Sequence, residues 1–336
     1  MKKNLIALAV ASAIAAPVAM ADAPVVYGQV NMAVEQIDVD KSVTGYKTDS
    51  GTQVNSQASR LGVKGSEDLG NGLKAVYKLE FEVQIDGGTT LKNRNQYVGL
   101  AGGFGTVLMG RHDTPTKMIQ AKDLFNDGVA DNKPMAGGLG AFGSGMENRV
   151  SNVLAYVSPS FSGVKLIAAM VAGEGNGAAA DESSLSDLTS VALTYGSAKK
   201  GLYLAAGMDM GTDNYTAAIA DDVQHTRLVA QYATGALIAN AMYQDFSGDG
   251  IKGSNKEGTN IQANLGYKMG KFMPKLKVSS VDREKAFEDS SNYAVGLDYA
   301  LGKKTTGYVT YTMIENDAGA KDADTNTVSV GLLHKF

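Results

Sequence analysis

The amino-acid sequence predicts an all-β protein, a transmembrane antiparallel β-barrel of about sixteen strands, and three observations carry this prediction. Apolar and polar residues alternate with a period of two along most of the chain. Short turns and long polar loops connect these segments in alternation. The N-terminus has the features of an export signal, and no later apolar run approaches the roughly 20 residues of a membrane helix.

Residues 1–21 are predicted to be a secretory signal peptide, and residues 22–336 a single domain. Two lysines form a short positive region, residues 5–18 are apolar, and Ala19-Met20-Ala21 matches an A-x-A cleavage site. Removing the two signal lysines changes the formal charge from −4 to −6, which leaves no basic excess for binding nucleic acid. The chain contains no cysteine, so disulfides and thiolate metal sites are excluded.

Each predicted strand has an apolar and a polar face. In the first, Val30 and Val34 lie on one face, and Asn31 and Glu35 lie on the other. An even number of such strands is typical of bacterial outer-membrane barrels. In chain order, the alternating segments lie at 26–35, 60–64, 73–83, 94–99, 106–111, 149–156, 162–171, 191–195, 201–210, 228–232, 237–246, 260–269, 292–301, 308–316 and 328–336.

The connections between strands differ systematically in length. Short turns on one rim and long loops on the other are typical of a membrane barrel, whereas a soluble β-sandwich is the alternative for alternating strands. The short turns lie at Gly70, Gly103, Pro159, Lys199, Gly235, Gly270 and Gly302. The long loops lie at 40–51, 113–146, 173–187, 211–221, 247–258, 284–290 and 316–324.

The last strand alternates up to the terminal Phe336. Chain ends usually fray, so an apolar strand that runs into the C-terminus must be held on both edges. Pairing with the preceding strand and with the first strand would leave no open edge in lipid. The alternation therefore predicts that the barrel closes between its two ends.

Six stretches, in this order, resemble the general porins of Gram-negative bacteria over essentially the whole mature chain. They are VVYGQVN, SRLGVKGSEDLGNGLKAVYKLE, NRNQYVGL, GGFGTVLMGR, ENRVSNVLAYVSPSFSGVKL and the terminal Phe336. The resemblance implies a trimeric, water-filled outer-membrane channel for passive diffusion of small hydrophilic solutes and ions. It also implies that the longest loop, residues 113–146, is the third extracellular loop and folds into the lumen.

Charged residues on this loop and on the facing wall are the candidate constriction residues, because channels select solutes at their narrowest point. The resemblance places the acidic side on Asp123, Asp127, Asp131 and Glu147. It places the basic side on Arg60, Arg111 and Arg149, with Arg94, Lys64, Lys74 and Lys78 nearby. Alternation alone would put Arg111 on the opposite face, with Val107 and Met109. Acidic residues that face basic residues across a narrow lumen would create a transverse electric field. We therefore predict weak ion selectivity that leans towards anions.

Two other functions are weighed against a general pore. A substrate-specific channel is the closer alternative, but the predicted inner faces carry no aromatic ladder. A barrel enzyme is a remote alternative, since His112, His225 and His334 accompany no nucleophile or metal motif. No catalytic residue, cofactor or metal is expected.

The expected partners follow from the resemblance. Three copies are expected to associate through the outer faces of the early strands, where Gly28, Ala33, Gly99 and Gly110 would permit close contact. Outer-membrane lipid and lipopolysaccharide would surround the trimer. The barrel-assembly machinery is expected to read Phe336 as the C-terminal assembly signal.

Overall fold

The computed structural model describes residues 23–39, 50–87, 91–131, 147–174, 184–211, 223–247, 257–284, 289–317 and 324–336. The predicted signal peptide, residues 1–21, lies outside these ranges, as do most residues of the long loops. Within them no helix is long and apolar enough to cross a membrane.

The described chain forms seventeen strands and one short helix, α1 (Pro115–Met118). The strands are β1 Val25–Val39, β2 Gly51–Ser56, β3 Arg60–Gly70, β4 Leu73–Val83, β5 Leu91–Gly102, β6 Gly105–Asp113, β7 Arg149–Val157, β8 Val164–Val171, β9 Leu188–Gly196, β10 Gly201–Gly211, β11 Val223–Ala233, β12 Leu237–Ser247, β13 Glu257–Tyr267, β14 Phe272–Glu284, β15 Asp289–Ala300, β16 Thr305–Asp317 and β17 Thr325–Lys335.

The strands form a single antiparallel sheet that closes on itself. From β3 to β17, each strand pairs with the next one in sequence. β17 then pairs with β1, from Gln29 opposite Lys335 to Val39 opposite Thr325. Closure pairs both edges of the last strand, as its alternation predicts, and removes the unpaired backbone groups that lipid cannot satisfy.

β2 and β3 are two halves of one barrel strand. β2 pairs with residues 32–37 of β1, and β3 pairs with residues 25–29. Between them Ala58 has a φ of 48°, and Asn31 N donates a hydrogen bond to Ser59 Oγ at 3.0 Å instead of to a strand carbonyl. The described sheet therefore has sixteen strand positions, which confirms the predicted fold class. The predicted segments omit β2, whose sequence GTQVNS is largely polar, and β14, Phe272–Glu284.

The two faces of the barrel wall differ in the character of their side chains. In β17, Val328 is 44 % exposed and Val330 58 %, whereas Thr327 is 2 % and Ser329 3 % exposed. Large exposed aliphatic and aromatic side chains recur along the other strands in the same alternation. The outer face is thus an apolar surface suited to lipid, and the inner face is mostly polar.

The predicted small-residue contact surface on the early strands is wrong. Ala33 is 2 % exposed and lies on the inner face, and Gly99 and Gly110 pair with buried inner-face residues. Gly28 does lie on the outer face, but the Phe336 ring covers it. The outer face of these strands instead carries branched aliphatic side chains.

The C-terminal residue completes the seam between β1 and β17. Phe336 N donates to Gly28 O at 3.1 Å, and Gly28 N donates to Phe336 O at 3.3 Å. A Cβ built on Gly28 would lie 2.5 Å from the Phe336 ring and 2.4 Å from the carbonyl oxygen of Arg60. The missing side chain at position 28 therefore makes room for the terminal ring on the outer surface.

We predict that Gly28→Ala weakens this seam, because the added methyl group must displace the ring or the Arg60 backbone. Overpacking of this kind costs roughly 1–3 kcal/mol. The measurement is the urea midpoint of the folded, heat-modifiable electrophoretic band. Gly103→Ala is the control, since a Cβ built at Gly103 has no atom within 4 Å. Equal losses in both variants would contradict the proposed contact.

Candidate functional site

The chain that follows β6 turns into the barrel and packs against its inner wall. Thr114 caps α1 by accepting a hydrogen bond from Lys117 N at 3.3 Å, and Pro115 begins the helix. Ile119 is fully buried in an apolar cluster with inner-face residues of β8 to β12, among them Ile167 and Tyr203. Residues 114–131, called the inward loop below, therefore begin as a segment fixed to the wall.

Wall side chains bind the carbonyl groups of the inward loop along its length. Arg227 Nη1 donates to Thr116 O at 3.0 Å, and Lys275 Nζ donates to Leu124 O at 2.7 Å. Lys277 Nζ donates to Ala130 O at 2.6 Å. The carbonyl groups of this irregular backbone have no partners in a β-ladder. The three wall cations donate to them instead, and these hydrogen bonds set the position of the loop.

Two of the four predicted acidic residues anchor the loop and do not face the open lumen. Asp123 Oδ2 lies 2.9 Å from Lys277 Nζ, and both side chains are at most 1 % exposed. Glu147 Oε1 lies 2.6 Å from Arg227 Nη2, in a pair that is also buried. These carboxylates hold the two described ends of the longest loop against β14 and β11.

Asp127 is the predicted acid that reaches the basic wall. Its Oδ2 lies 3.3 Å from Arg60 Nη2 on β3, and it accepts a hydrogen bond from Gln29 Nε2 at 3.2 Å. Asp127 has a φ of 68°, and its backbone N donates to Asp131 Oδ2 at 2.8 Å. Asp131 thus supports the turn that presents Asp127. The loop passes from β14, where Asp123 is bound, to β3, five strand positions around the barrel.

Five cations form the basic wall cluster, defined as Arg60, Lys64, Lys78, Arg94 and Arg149. Their arrangement depends on a β-bulge, seen as a register shift between β4 and β5 on either side of Glu80. The bulge sets two consecutive residues, Arg94 and Asn95, opposite Glu80, so that both side chains point inward. Strict alternation would have turned one of them to the outer face.

Glu80 is the carboxylate at the centre of this cluster. It accepts a hydrogen bond from Arg94 Nε at 2.8 Å and one from the Tyr27 hydroxyl at 2.8 Å. Lys78 Nζ lies 3.1 Å from its Oε2. Lys64 Nζ stands 4.9 Å from the centre of the Tyr27 ring, a cation–π contact on the same side. Arg94 Nη1 reaches Glu82 Oε2 at 3.0 Å and extends the network.

Arg149 joins the cluster to the root of the inward loop. Its Nε lies 2.9 Å from Asp113 Oδ1 and donates to Asn95 Oδ1 at 2.7 Å. Lys117 Nζ of α1 lies 3.3 Å from the same carboxylate oxygen. Asp113 is therefore shared between the wall and the loop.

The structure does not bring Arg111 to this cluster. Arg111 Nη1 donates to Ser151 Oγ at 3.0 Å, and it pairs in register with Gln96 on the face that carries the exposed Met109. Arg94, expected only nearby, is instead at the centre. Lys74 pairs with Asp68 in register beside a short turn and lies outside the cluster.

Several site residues were not predicted. Tyr27, Glu80, Asn95 and Asp113 connect the cations, but Tyr27 and Glu80 are ordinary inward positions in alternating strands, and Asn95 and Asp113 lie at or next to register shifts. Lys277 and Arg227, which anchor the loop, lie more than eighty residues from it in sequence. In the sequence they are only cations at inward positions of strands. Such a cation indicates an ion pair with the loop only when its partner is known.

Comparison with known proteins identifies the family. The family profile described as Gram-negative porin matches residues 7–334. The chain belongs to the Gram-negative porin family. It is 30 % identical over 359 residues to the major outer membrane protein P.IB of Neisseria gonorrhoeae, covering 100 % of both chains. It is 30 % identical to P.IA of Neisseria meningitidis over 354 residues, covering 90 % of this chain and 87 % of the relative.

Solved porins share the fold. The anion-selective porin from Comamonas acidovorans matches with a TM-score of 0.78 and 22 % identity, covering 94 % of this chain and 99 % of that one. OmpT of Vibrio cholerae, in its trimer form, matches with a TM-score of 0.67 and 18 % identity, over 94 % and 100 %. This porin is therefore an outer-membrane channel for passive diffusion, as the sequence predicts, and its family points to a channel rather than an enzyme.

We predict that Lys277→Met releases the inward loop of this porin. Removing one partner of a buried ion pair costs roughly 3–5 kcal/mol, because the other charge stays buried and unpaired. The expected result is a noisier single-channel current with a larger mean conductance, measured in planar bilayers.

Two variants test whether the pair itself is responsible. Lys277→Met combined with Asp123→Asn removes both charges and should recover part of the quiet, smaller conductance. Lys200→Met, at an exposed short turn, should leave the current unchanged. An unchanged current in Lys277→Met would show that the ion pair does not position the loop.

Proposed function

We propose that this porin passes small ions and hydrophilic solutes through a constriction between the basic wall cluster and Asp127 of the inward loop, with a weak preference for anions. The contact of 3.3 Å between Arg60 and Asp127 carries the proposal, because it marks where the inward loop, after its contacts with β14, reaches the basic wall at β3. Asp127 and Arg60 then lie together at the edge of the opening, and the other cations of the basic wall cluster lie beside them.

The preference for anions rests on the local balance of charge. Among the described residues, the five cations of the basic wall cluster are accompanied by the four carboxylates of Glu80, Glu82, Asp113 and Asp127, which leaves an excess of one positive charge. The net charge of the whole chain, −4, has the opposite sign. Distant charges are screened over roughly 8 Å at physiological salt, whereas those at the constriction act within a few ångström. The local excess is therefore expected to dominate.

A substrate-specific channel is the second candidate. Such a channel would be favoured by a continuous aromatic track along the inner face. Tyr27 and Tyr308 do face inward, but their hydroxyls donate to Glu80 and Asn31, and β17 separates them in the sheet. These contacts favour structural roles for both rings and a general pore for the channel.

The ion preference is tested by changing single arginines of the basic wall cluster. Arg60→Ser and Arg94→Ser are each expected to shift the reversal potential in a salt gradient towards cations and to raise conductance. Loss of one charge at about 4 Å in water is worth about 1 kcal/mol, or roughly a fivefold change in the permeability ratio at most. Planar-bilayer recording gives both quantities.

Arg111→Ser is the matched control, because it makes the same chemical change outside the cluster. We expect it to leave the reversal potential where it is in the wild type. An equal shift in Arg111→Ser, or no shift in Arg60→Ser and Arg94→Ser, would reject the proposed constriction.

We also propose that three copies associate through the outer faces of β1 to β5. Support comes from the exposed branched side chains Val30, Val34, Leu61 and Val98, which form an apolar outer surface on these strands. We further propose that residues 1–21 are a signal peptide that is removed on export. Lipopolysaccharide would surround the trimer, and the barrel-assembly machinery would recognise Phe336 as the C-terminal signal.

Electrophoresis without boiling tests the assembly. The expected result is a heat-modifiable band near three times the monomer mass. Val30→Lys combined with Val98→Lys should reduce that band, whereas Leu193→Lys combined with Leu228→Lys, on the far side of the barrel, should not. A band only at the monomer mass in mild detergent would refute the trimer.

A further inference from the structure

A second group of cations lies at the short-turn end of a cavity beside the inward loop, and Arg60 of the basic wall cluster lines the same cavity. Lys122, Lys275 and Lys335 line one cavity of about 250 Å³, together with Asp298. Lys275 and Lys335 lie near the ends of β14 and β17 at the rim of short turns, and Lys122 lies on the loop itself. Short turns form the periplasmic rim in barrels of this kind, so the group faces the periplasm.

Two of these three cations have no neutralising acid. Lys275 Nζ is 2.8 Å from Asp298 Oδ1, and the same nitrogen binds the loop carbonyl of Leu124. In the part of the chain that the structure describes, no side-chain carboxylate lies within 4.0 Å of the ammonium of Lys122 or Lys335. The terminal carboxylate of Phe336 accepts a hydrogen bond from Gly28 N and keeps its charge, so the three ammonium groups are accompanied by two carboxylates. This part of the cavity thus has an excess of positive charge.

The two lysines act on each other. Burial, the positive charge of Lys335 and that of Lys275 lower the pKa of Lys122, while Asp298 opposes them. Two ammonium groups that repel each other are stabilised by any anion that can lie between them. An anion with two charges compensates both at once.

The other acids of the cavity are engaged elsewhere. Asp127 pairs with Arg60, and Asp123 pairs with Lys277. Glu35 accepts hydrogen bonds from Gln57 and Ser329 at 2.8 and 3.0 Å. Glu35 lies opposite Ser329 in the β1–β17 register, six residues from Lys335 along the strand, or about 20 Å.

The rim next to this group is also basic. The turns between β13 and β14 and between β15 and β16 carry Lys268, Lys271, Lys303 and Lys304. Residues 268–271 and 301–304 contain no acidic residue. Like charges around an opening raise the local concentration of counter-ions, so this half of the rim would guide anions towards Lys122 and Lys335.

We propose that Lys122 and Lys335 form a binding site for small divalent oxyanions that enter from the periplasmic side. The proposal rests on the proposed function, since the ion must reach a conducting lumen. It adds a second site at the short-turn end of the cavity whose lining also includes Arg60 and Asp127, and it predicts that the channel responds differently to the same anion on its two sides.

Inorganic phosphate at pH 8, where it is mainly divalent, is the probe. Chloride current is recorded through porins inserted in one orientation, and phosphate is added to one side at a time. The half-blocking concentration should be about fivefold or more lower from the short-turn side, because the excess positive charge lies at that end. Equal blocking from the two sides would overturn the proposal.

Paired substitutions locate the site. Lys122→Gln with Lys335→Gln should remove the difference between the two sides, and Lys122→Arg with Lys335→Arg should keep it. Lys199→Gln with Lys200→Gln removes the same charge from another short turn and should keep the difference. Loss of the difference in that control would refute the assignment to Lys122 and Lys335.

The same recordings distinguish failure of the proposed oxyanion site from failure of the proposed channel function. A wild-type protein that conducts chloride but shows no block by phosphate would overturn this site and leave the diffusion channel intact. A protein that conducts no chloride, although its heat-modifiable band shows it folded, would overturn the proposed function and this site with it.

Discussion

Every backbone amide in the wall of this barrel needs a partner within the sheet, because lipid offers none. The pairing of β1 with β17 meets that condition at the seam, and Phe336 extends it by one more pair at Gly28. Once the ladder is closed, alternation assigns each residue to lipid or to the lumen, with bulges as the exceptions. The inner face is then free to carry charge without cost to the ladder.

The bulge at Arg94 and Asn95 brings additional polar side chains to the inner face. A register shift next to Glu80 turns two consecutive side chains inward, and each takes a different partner. Arg94 binds Glu80, while Asn95 accepts from Arg149 and donates to Asp113 at 2.8 Å. The bulge therefore links cations of β5 and β7 into one network. A regular strand would have supplied only one of these contacts.

The sequence was sufficient for the barrel because its period of two repeats along almost every strand. It was not sufficient for β2, where GTQVNS is polar on both faces, or for the bulge, which changes which residues face inward. The resemblance proposed Asp123 and Asp127 for one role, yet the structure gives the first to Lys277 and the second to Arg60. Such pairings join residues far apart in the chain, and no local pattern encodes them.

The buried ion pairs explain why the inward loop stays in one place. Apolar contacts around Ile119, Leu124 and Phe125 favour burial of the loop but tolerate sliding, since they have little directional preference. Lys277 must meet both Asp123 and the carbonyl of Ala130, and Arg227 must meet both Glu147 and the carbonyl of Thr116. Each misplacement would leave a buried charge unpaired, at a cost of several kcal/mol. In a diffusion channel the width of the opening depends on where this loop lies, so these pairs contribute positional specificity more than stability.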